Sequence, residues 1–409
     1  MSRAGPLAAD VLRRYAEAAV GVFVGLRRGE SLLIDCEPAH RDLAVAMAEA
    51  AYRSGAALVD VAYADPRVRR ARIADGSDES LGRVSAWQQA RLRGATDASA
   101  AFVRILGEEA PGLFSGLDSA RIAADYQRRS QATRWFLRAI AGDRVRWCII
   151  AWPTVGWARR VYPELTPTQA YRRLGEDIVG FCRLGPDDAP DAWVAHARRL
   201  GRRAAALSRR RFAGLEFRGP GTHLHVALAP DGRWLVGGAM TRDGRPFYPN
   251  VPTEEVYTSP DPRATTGTFR CTTPLSFNGR VIEGIAGEFR RGRLTRIEAA
   301  RDADRDLLAA TFATDRGAGR LGEVALVDGG SRIGRAGRIY EDTLFDENAA
   351  AHIAFGEGFA DTRRDGGAIN RSRVHLDVMI GSREVEVTGL GARGRRVPLI
   401  RDGEWQLRE

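Results

Sequence analysis

Ser31-Leu32-Leu33-Ile34-Asp35-Cys36, the helical pattern running through Ala44 to Tyr52, and Ala57-Leu58-Val59-Asp60-Val61 together decide how the first half of the chain is built. Two short apolar runs flank a segment of helical period, which reads as strand, helix, strand. A helix between two strands returns the second strand parallel to the first. Upstream, Ala8 to Gly25 is helical in pattern. Downstream the alternation continues through Val145-Arg146-Trp147-Cys148-Ile149-Ile150-Ala151. After the loop Gly185-Pro186-Asp187-Asp188-Ala189-Pro190, a helix from Asp191 to about Arg209 closes this half. The expected fold class is α/β, with a mainly parallel sheet in the N-terminal domain.

Beyond Phe212 the texture changes to short strands punctuated by glycine turns. Gly214-Leu215-Glu216-Phe217, His223-Leu224-His225-Val226-Ala227-Leu228 and Trp234-Leu235-Val236-Gly237-Gly238 are examples. We therefore expect two domains, residues 1–210 as an N-terminal α/β domain and residues 211–409 as a C-terminal mixed α+β, strand-rich domain. At 409 residues the chain is long enough for two real cores.

The formal charge of +10 invites a nucleic-acid reading. All 62 basic residues are arginine, however, and runs such as Arg209-Arg210-Arg211 are scattered among acids. No aromatic-interleaved basic stripe forms, so neither nucleic acid nor a membrane is expected as a partner. Cys36, Cys148, Cys182 and Cys271 stand far apart without a C-x-x-C pair, which argues against a zinc ribbon and a disulfide framework. With no secretion-signal ordering and no apolar run of membrane-spanning length, the expected compartment is the cytoplasm.

The C-terminal half carries the chemistry. In Val374-His375-Leu376-Asp377-Val378-Met379-Ile380, strand alternation sends His375 and Asp377 to one side and the apolar residues to the other. The imidazole and carboxylate either hydrogen-bond each other or hold a metal ion, since burying such groups unpaired is costly. Asp346 reads as an N-cap opening an Ala-rich helix, with His352 on its second turn, Asn348 one turn before it and Phe359 two turns after it. Glu254 and Glu255 follow Asn250-Val251-Pro252-Thr253, and Glu323 opens an apolar strand in Leu321-Gly322-Glu323-Val324-Ala325-Leu326-Val327. Two imidazoles and three carboxylates suit two divalent cations of borderline hardness such as zinc, cobalt or manganese. Three negative charges, two dications and one hydroxide sum to zero. His223 and His225 also share a strand face, but they read equally well as surface residues and are left outside the set.

The stretches Asn250-Val251-Pro252-Thr253-Glu254-Glu255-Val256-Tyr257-Thr258-Ser259-Pro260, Leu321 to Val327, Thr343 through His352 to Gly356, and His375 through Ser382 resemble the thermophilic metalloaminopeptidase family of the aminopeptidase T and aminopeptidase S type. The resemblance implies two metal ions on Glu255, or on the adjacent Glu254 in its place, with Glu323, His352, His375 and Asp377, and a substrate amine held by a metal or by a nearby acid such as Glu254. It implies a homodimer that removes an N-terminal residue from a peptide or amide by means of a hydroxide bridging two cations. Phe359 departs from the family pattern, which has a catalytic tyrosine there, and Arg371 replaces a family acid; both point to a specialised substrate. The alternative is a ring-cleaving dioxygenase of similar fold, with one ferrous ion on His352, His375 and Asp377.

Overall fold

The structure, a computed structural model, describes residues 7–141, 145–241, 243–277, 280–364 and 366–408. The chain divides into two compact units, Met1–Ala192 with Gly238–Val251, and Trp193–Gly237 with Pro252–Glu409.

The first unit is built on a four-stranded sheet in the order Leu58–Tyr63, Ser31–Cys36, Ala101–Leu106, Trp147–Ala151, with every pair parallel. Leu32, Ile34, Val103 and Ile150 share one face of this sheet by the pairing register and are fully buried. The first helix runs Ala9–Ala18 and widens into a π-turn over Ala19–Phe23, and Arg41–Arg53 forms the crossover read from the sequence. Cys36, Cys148 and Cys182 are buried free thiols and Cys271 is a half-buried one.

Two segments group differently from the boundary at residue 210. The helix Ala192–Arg210 lies almost wholly in the second unit, because its Leu200, Ala204 and Leu207 join the core under the C-terminal strands. Conversely, residues 238–251 return to the first unit. Ile149 N–H donates to the Pro249 carbonyl at 2.7 Å, and Val251 N–H donates to the Ile149 carbonyl at 3.0 Å. Texture along the chain cannot register such a return.

The second unit carries an eight-stranded antiparallel sheet and a five-stranded antiparallel sheet. The latter runs His375–Met379, His352–Gly356, Leu321–Val327, Glu255–Thr258, Leu235–Val236. His223 and His225 lie on the Thr222–Ala227 strand of the eight-stranded sheet. At the centre of the core Phe355 is fully buried, with ring centroids 4.2 Å from Phe312, 5.4 Å from Phe289 and 5.8 Å from Phe269.

The Ala-rich helix does not extend to His352. Asp342, not Asp346, caps it by accepting from Leu344 N–H, and it stops after one turn, Thr343–Asp346. The Asp346 carboxylate turns back to accept from Tyr340 N–H at 2.7 Å, and Asn348 donates to the Leu344 carbonyl at 2.9 Å. Such side-chain bonds compete with helix continuation. The β-branched and aromatic run Ile353-Ala354-Phe355 then pairs on both sides as a strand that begins at His352. Gly356 ends this strand at φ +99°, where a Cβ would sit 1.9 Å from the Val374 carbonyl oxygen.

Candidate metal centre

Directly opposed residues of antiparallel strands point to the same side of a sheet, so the pairing register sorts the five-stranded sheet into two faces. Glu255 opposes Val327 and Tyr257 opposes Ala325. Ala325 opposes His352, and Glu323 opposes Ala354. Ala354 opposes Asp377, and Gly356 opposes His375. One face thus carries Glu255, Tyr257, Glu323, His352, His375 and Asp377, over a floor of Ala325, Ala354 and Gly356 small enough to leave room above it. The opposite face carries Val256, Val324, Leu326, Ile353, Phe355, Leu376 and Val378, all buried in the core. Burial of that apolar face fixes the register, since a one-residue slip would drive the acids into the core.

The donor atoms converge as two groups that share one carboxylate. Glu255, Glu323 and His352 form one, and Glu323, His375 and Asp377 the other, with the ligand atoms of each group all within 4.8 Å of one another. His352 Nε2 is 3.2 Å from Glu255 Oε2 and 4.0 Å from Asp377 Oδ1. His375 Nε2 is 3.4 Å from Glu323 Oε2 and 3.5 Å from Asp377 Oδ1. Each ring is oriented from behind: His352 Nδ1 is 3.2 Å from the Ala350 carbonyl oxygen and His375 Nδ1 is 3.0 Å from that of Glu357. A carbonyl can only accept, so both Nδ1 atoms carry the proton and both Nε2 atoms face the acids.

The electrostatics describe a site short of positive charge. Burial and the Glu255 and Asp377 carboxylates push Glu323 up to about 7, against the pull of His375. Burial would favour a neutral His352, but Glu255, Asp377 and Glu323 outweigh it and raise the ring to about 10. His375 is raised well above its usual value, with Asp377 and Glu323 overcoming burial. Asp377 is lowered, because His375 and His352 overcome the cost of burying it. Clustered acids with imidazoles drawn into protonation are the expected state of a divalent-cation site without its cations. The donor set fits divalent cations.

Glu347 belongs to this cluster and was hidden from the sequence reading by the helix assigned there. Burial, then Asp377 and Glu255, raise its carboxyl well above the ordinary range. Asn348 fastens this acid to the Glu255 strand: its Oδ1 accepts from Glu254 N–H at 2.7 Å, and its Nδ2 is 3.4 Å from Glu347 Oε1. Glu254 is buried elsewhere, with His196 Nε2 3.5 Å from its Oε2. It is not one of the two donor groups. Phe359 lies just past the His352 strand, 36 % exposed, in edge contact with His375 at 5.4 Å and Tyr257 at 5.2 Å. Arg371 is engaged by Glu357 at 3.0 Å, which offsets the charge it offers an acidic substrate.

Comparison with known proteins agrees with this architecture. The thermophilic metalloprotease (M29) family matches residues 8–405. The chain belongs to this family. Aminopeptidase T of Thermus thermophilus is 38% identical over 404 residues, which cover 96% of this chain and 98% of that protein. The solved structure of wild-type AmpT from Thermus thermophilus superposes with a TM-score of 0.91 at 37% identity, covering 97% of this chain and 99% of that one. The family fold also extends to 2,5-dihydroxypyridine dioxygenase of Pseudomonas putida, with a TM-score of 0.55 at 15% identity over 99% of both chains. At that distance the likeness is one of fold alone. A single-iron triad would leave Glu255 and Glu323 idle beside the histidines, so the oxidative alternative has only the shared fold behind it. Among the described residues no helix is long and apolar enough to cross a membrane.

Proposed function

We propose that this chain is a metal-dependent aminopeptidase that releases the N-terminal residue of a peptide or peptide-like amide, using two divalent cations held by Glu255, Glu323, His352, His375 and Asp377. The observation that carries the reading is the pair of donor groups with Glu323 in common. Zinc, cobalt or manganese suits two imidazoles among carboxylates. When bound, such cations supply a hydroxide nucleophile near neutral pH and a Lewis acid for the scissile carbonyl.

The protein's own groups do the remaining work. The Ala350 and Glu357 carbonyls hold the two rings so that Nε2 meets the site without a rotamer search. Glu347, whose carboxyl is raised well above the ordinary range by burial and by Asp377 and Glu255, is a further buried acid beside the donor groups. Glu254 acts as a positioning residue, fixed between His196 and Asn348 next to the ligand Glu255.

A cytoplasmic homodimer completes the proposal. The free cysteines suit a reducing compartment, and the dimer follows from the family resemblance; sedimentation velocity tests it. The activity is tested with a leucyl peptide and its N-acetylated form. The expected result is release of leucine from the free amine only, abolished by a chelator and restored by zinc, cobalt or manganese. Cleavage of the acetylated peptide, or turnover that consumes oxygen, contradicts the reading.

A further inference from the structure

The two imidazoles of the centre are held by different means. The His352 side chain is 1 % exposed, so packing leaves its ring little choice, whereas that of His375 is 34 % exposed. A partly exposed ring gives up rotamer freedom when it takes a cation. A hydrogen bond to its second nitrogen that fixes it beforehand lessens that cost. For His375 the bond runs to the Glu357 carbonyl, 3.0 Å from Nδ1. Phe359 adds an edge contact at 5.4 Å.

That carbonyl is itself aimed. Directly after the strand ends at Gly356, Glu357 N–H donates to the Val374 carbonyl at 2.7 Å. Asn370 ties down both neighbours: its Nδ2 donates to the Gly356 carbonyl at 2.6 Å, and its own carbonyl accepts from Gly358 N–H at 3.0 Å. The Glu357 side chain closes the remaining link. One carboxylate oxygen accepts from Ser372 N–H, and the other is 3.0 Å from Arg371 Nη1. Ser372 is fixed in turn, because its hydroxyl donates to Asp315 at 2.9 Å and accepts from Val374 N–H at 3.0 Å. An exposed ion pair with Arg371 would by itself contribute little. Here the carboxylate is fastened to the loop that leads straight into the His375 strand, so Glu357, Ser372, Val374 and His375 close one ring of hydrogen bonds.

We propose that Glu357 is a positioning residue for the metal centre: its side chain, fastened to the loop at residues 371–372, aims its own carbonyl at His375 Nδ1 and so holds the ring ready for a cation at Glu323, His375 and Asp377. The proposal rests on the two-cation reading above. It ties Glu357 to one donor group only, because His375 belongs to that group while His352, in the other, is oriented by the Ala350 carbonyl.

The test uses the full-length protein stripped of metal, with its Glu357→Ala and Glu357→Gln variants. Glutamine removes the charge but keeps an oxygen that accepts from Ser372 N–H; alanine removes both. Competition with a chromophoric chelator reads the zinc affinity of each binding step. Proton NMR of the cobalt-loaded protein reads the N–H of each ligating imidazole as a separate, strongly shifted exchangeable resonance. In Glu357→Ala one zinc step is expected to weaken roughly tenfold, the low end for losing the partner of a metal-bound histidine, because the carbonyl itself remains. The other step should stay within about threefold, and one imidazole N–H resonance should be lost to solvent exchange while the other persists. Glu357→Gln should match the parent within about threefold in both steps and keep both resonances. A Glu357→Ala protein equal to the parent, or weakened alike in both steps as a general loosening of the fold would cause, overturns the proposal. So does a Glu357→Gln protein that falls as far as Glu357→Ala, since the effect is then one of charge. A parent that binds fewer than two zinc ions overturns the two-cation reading itself, whereas a parent with two ions that is indifferent to Glu357→Ala overturns only the role of Glu357.

Discussion

Replacing Glu323 by glutamine separates what the centre costs the fold from what it provides to the reaction. Glu323 is 4 % exposed, and its carboxyl is shifted from 4.5 to about 7 by burial and by Glu255 and Asp377. A folded-state pKa above the unfolded value means that the folded chain holds the proton more tightly. In the metal-free protein this stabilisation is complete below pH 4.5 and is lost as pH rises through 7. The difference between the two values corresponds to about 3 kcal/mol at pH 8. Glutamine keeps the shape and removes the charge, so metal-free Glu323→Gln should melt above metal-free parent at pH 8. For a unit of this size the gain is roughly 6–12 °C, and it should vanish near pH 4.5. With zinc in excess the order should reverse, because the variant lacks the carboxylate common to both donor groups. Differential scanning calorimetry with and without chelator, at pH 4.5 and pH 8, reads all four states. Equal melting of parent and variant at pH 8 without metal, together with equal stabilisation by zinc, would refute the reasoning.

Further outcomes follow from the same geometry. Zinc uptake by the metal-free protein must displace the proton on His352, whose pKa is about 10, so apparent affinity should fall by roughly a hundredfold from pH 8 to pH 6; calorimetry in buffers of different ionisation enthalpy checks the proton release. In the first unit, His40 is fully buried and burial lowers it to about 4. Its lowered pKa means the unfolded chain binds the proton first, so about 3 kcal/mol of stability is lost as pH falls from 6.5 towards 4. Urea titrations of parent and His40→Gln at pH 7 and pH 4.5 should show a smaller acid loss in the variant. Phe355→Ala, removing a ring from the centre of the aromatic core, should destabilise the second unit by about 3–5 kcal/mol and shift its chemical denaturation midpoint accordingly.

Much of this fold was legible in the sequence because local pattern and tertiary placement agree. The strand Ser31–Cys36 and the helix Arg41–Arg53 each carry a single period, and folding leaves them as they read. His375 and Asp377 likewise declare a shared face through their two-residue spacing. His352 was misread because alanine favours helix locally while the deciding bonds, from Asp346 and Asn348 to backbone groups, are side-chain choices that periodicity does not record. That error also concealed Glu347. The convergence of residues 255, 323, 352 and 375 depends on four strands being neighbours in one sheet. Spacing along the chain holds no trace of that adjacency. The helix Ala192–Arg210 ends where the texture changes, but its apolar stripe commits it to the later core.

The most direct test of a two-cation centre is the metal content of the full-length protein after equilibration with excess zinc and removal of free ion, measured for the parent and for Glu323→Gln. The account requires two ions per chain in the parent and fewer in the variant. A parent that retains one ion or none, or that is purified with a single iron and turns over only with oxygen, contradicts it.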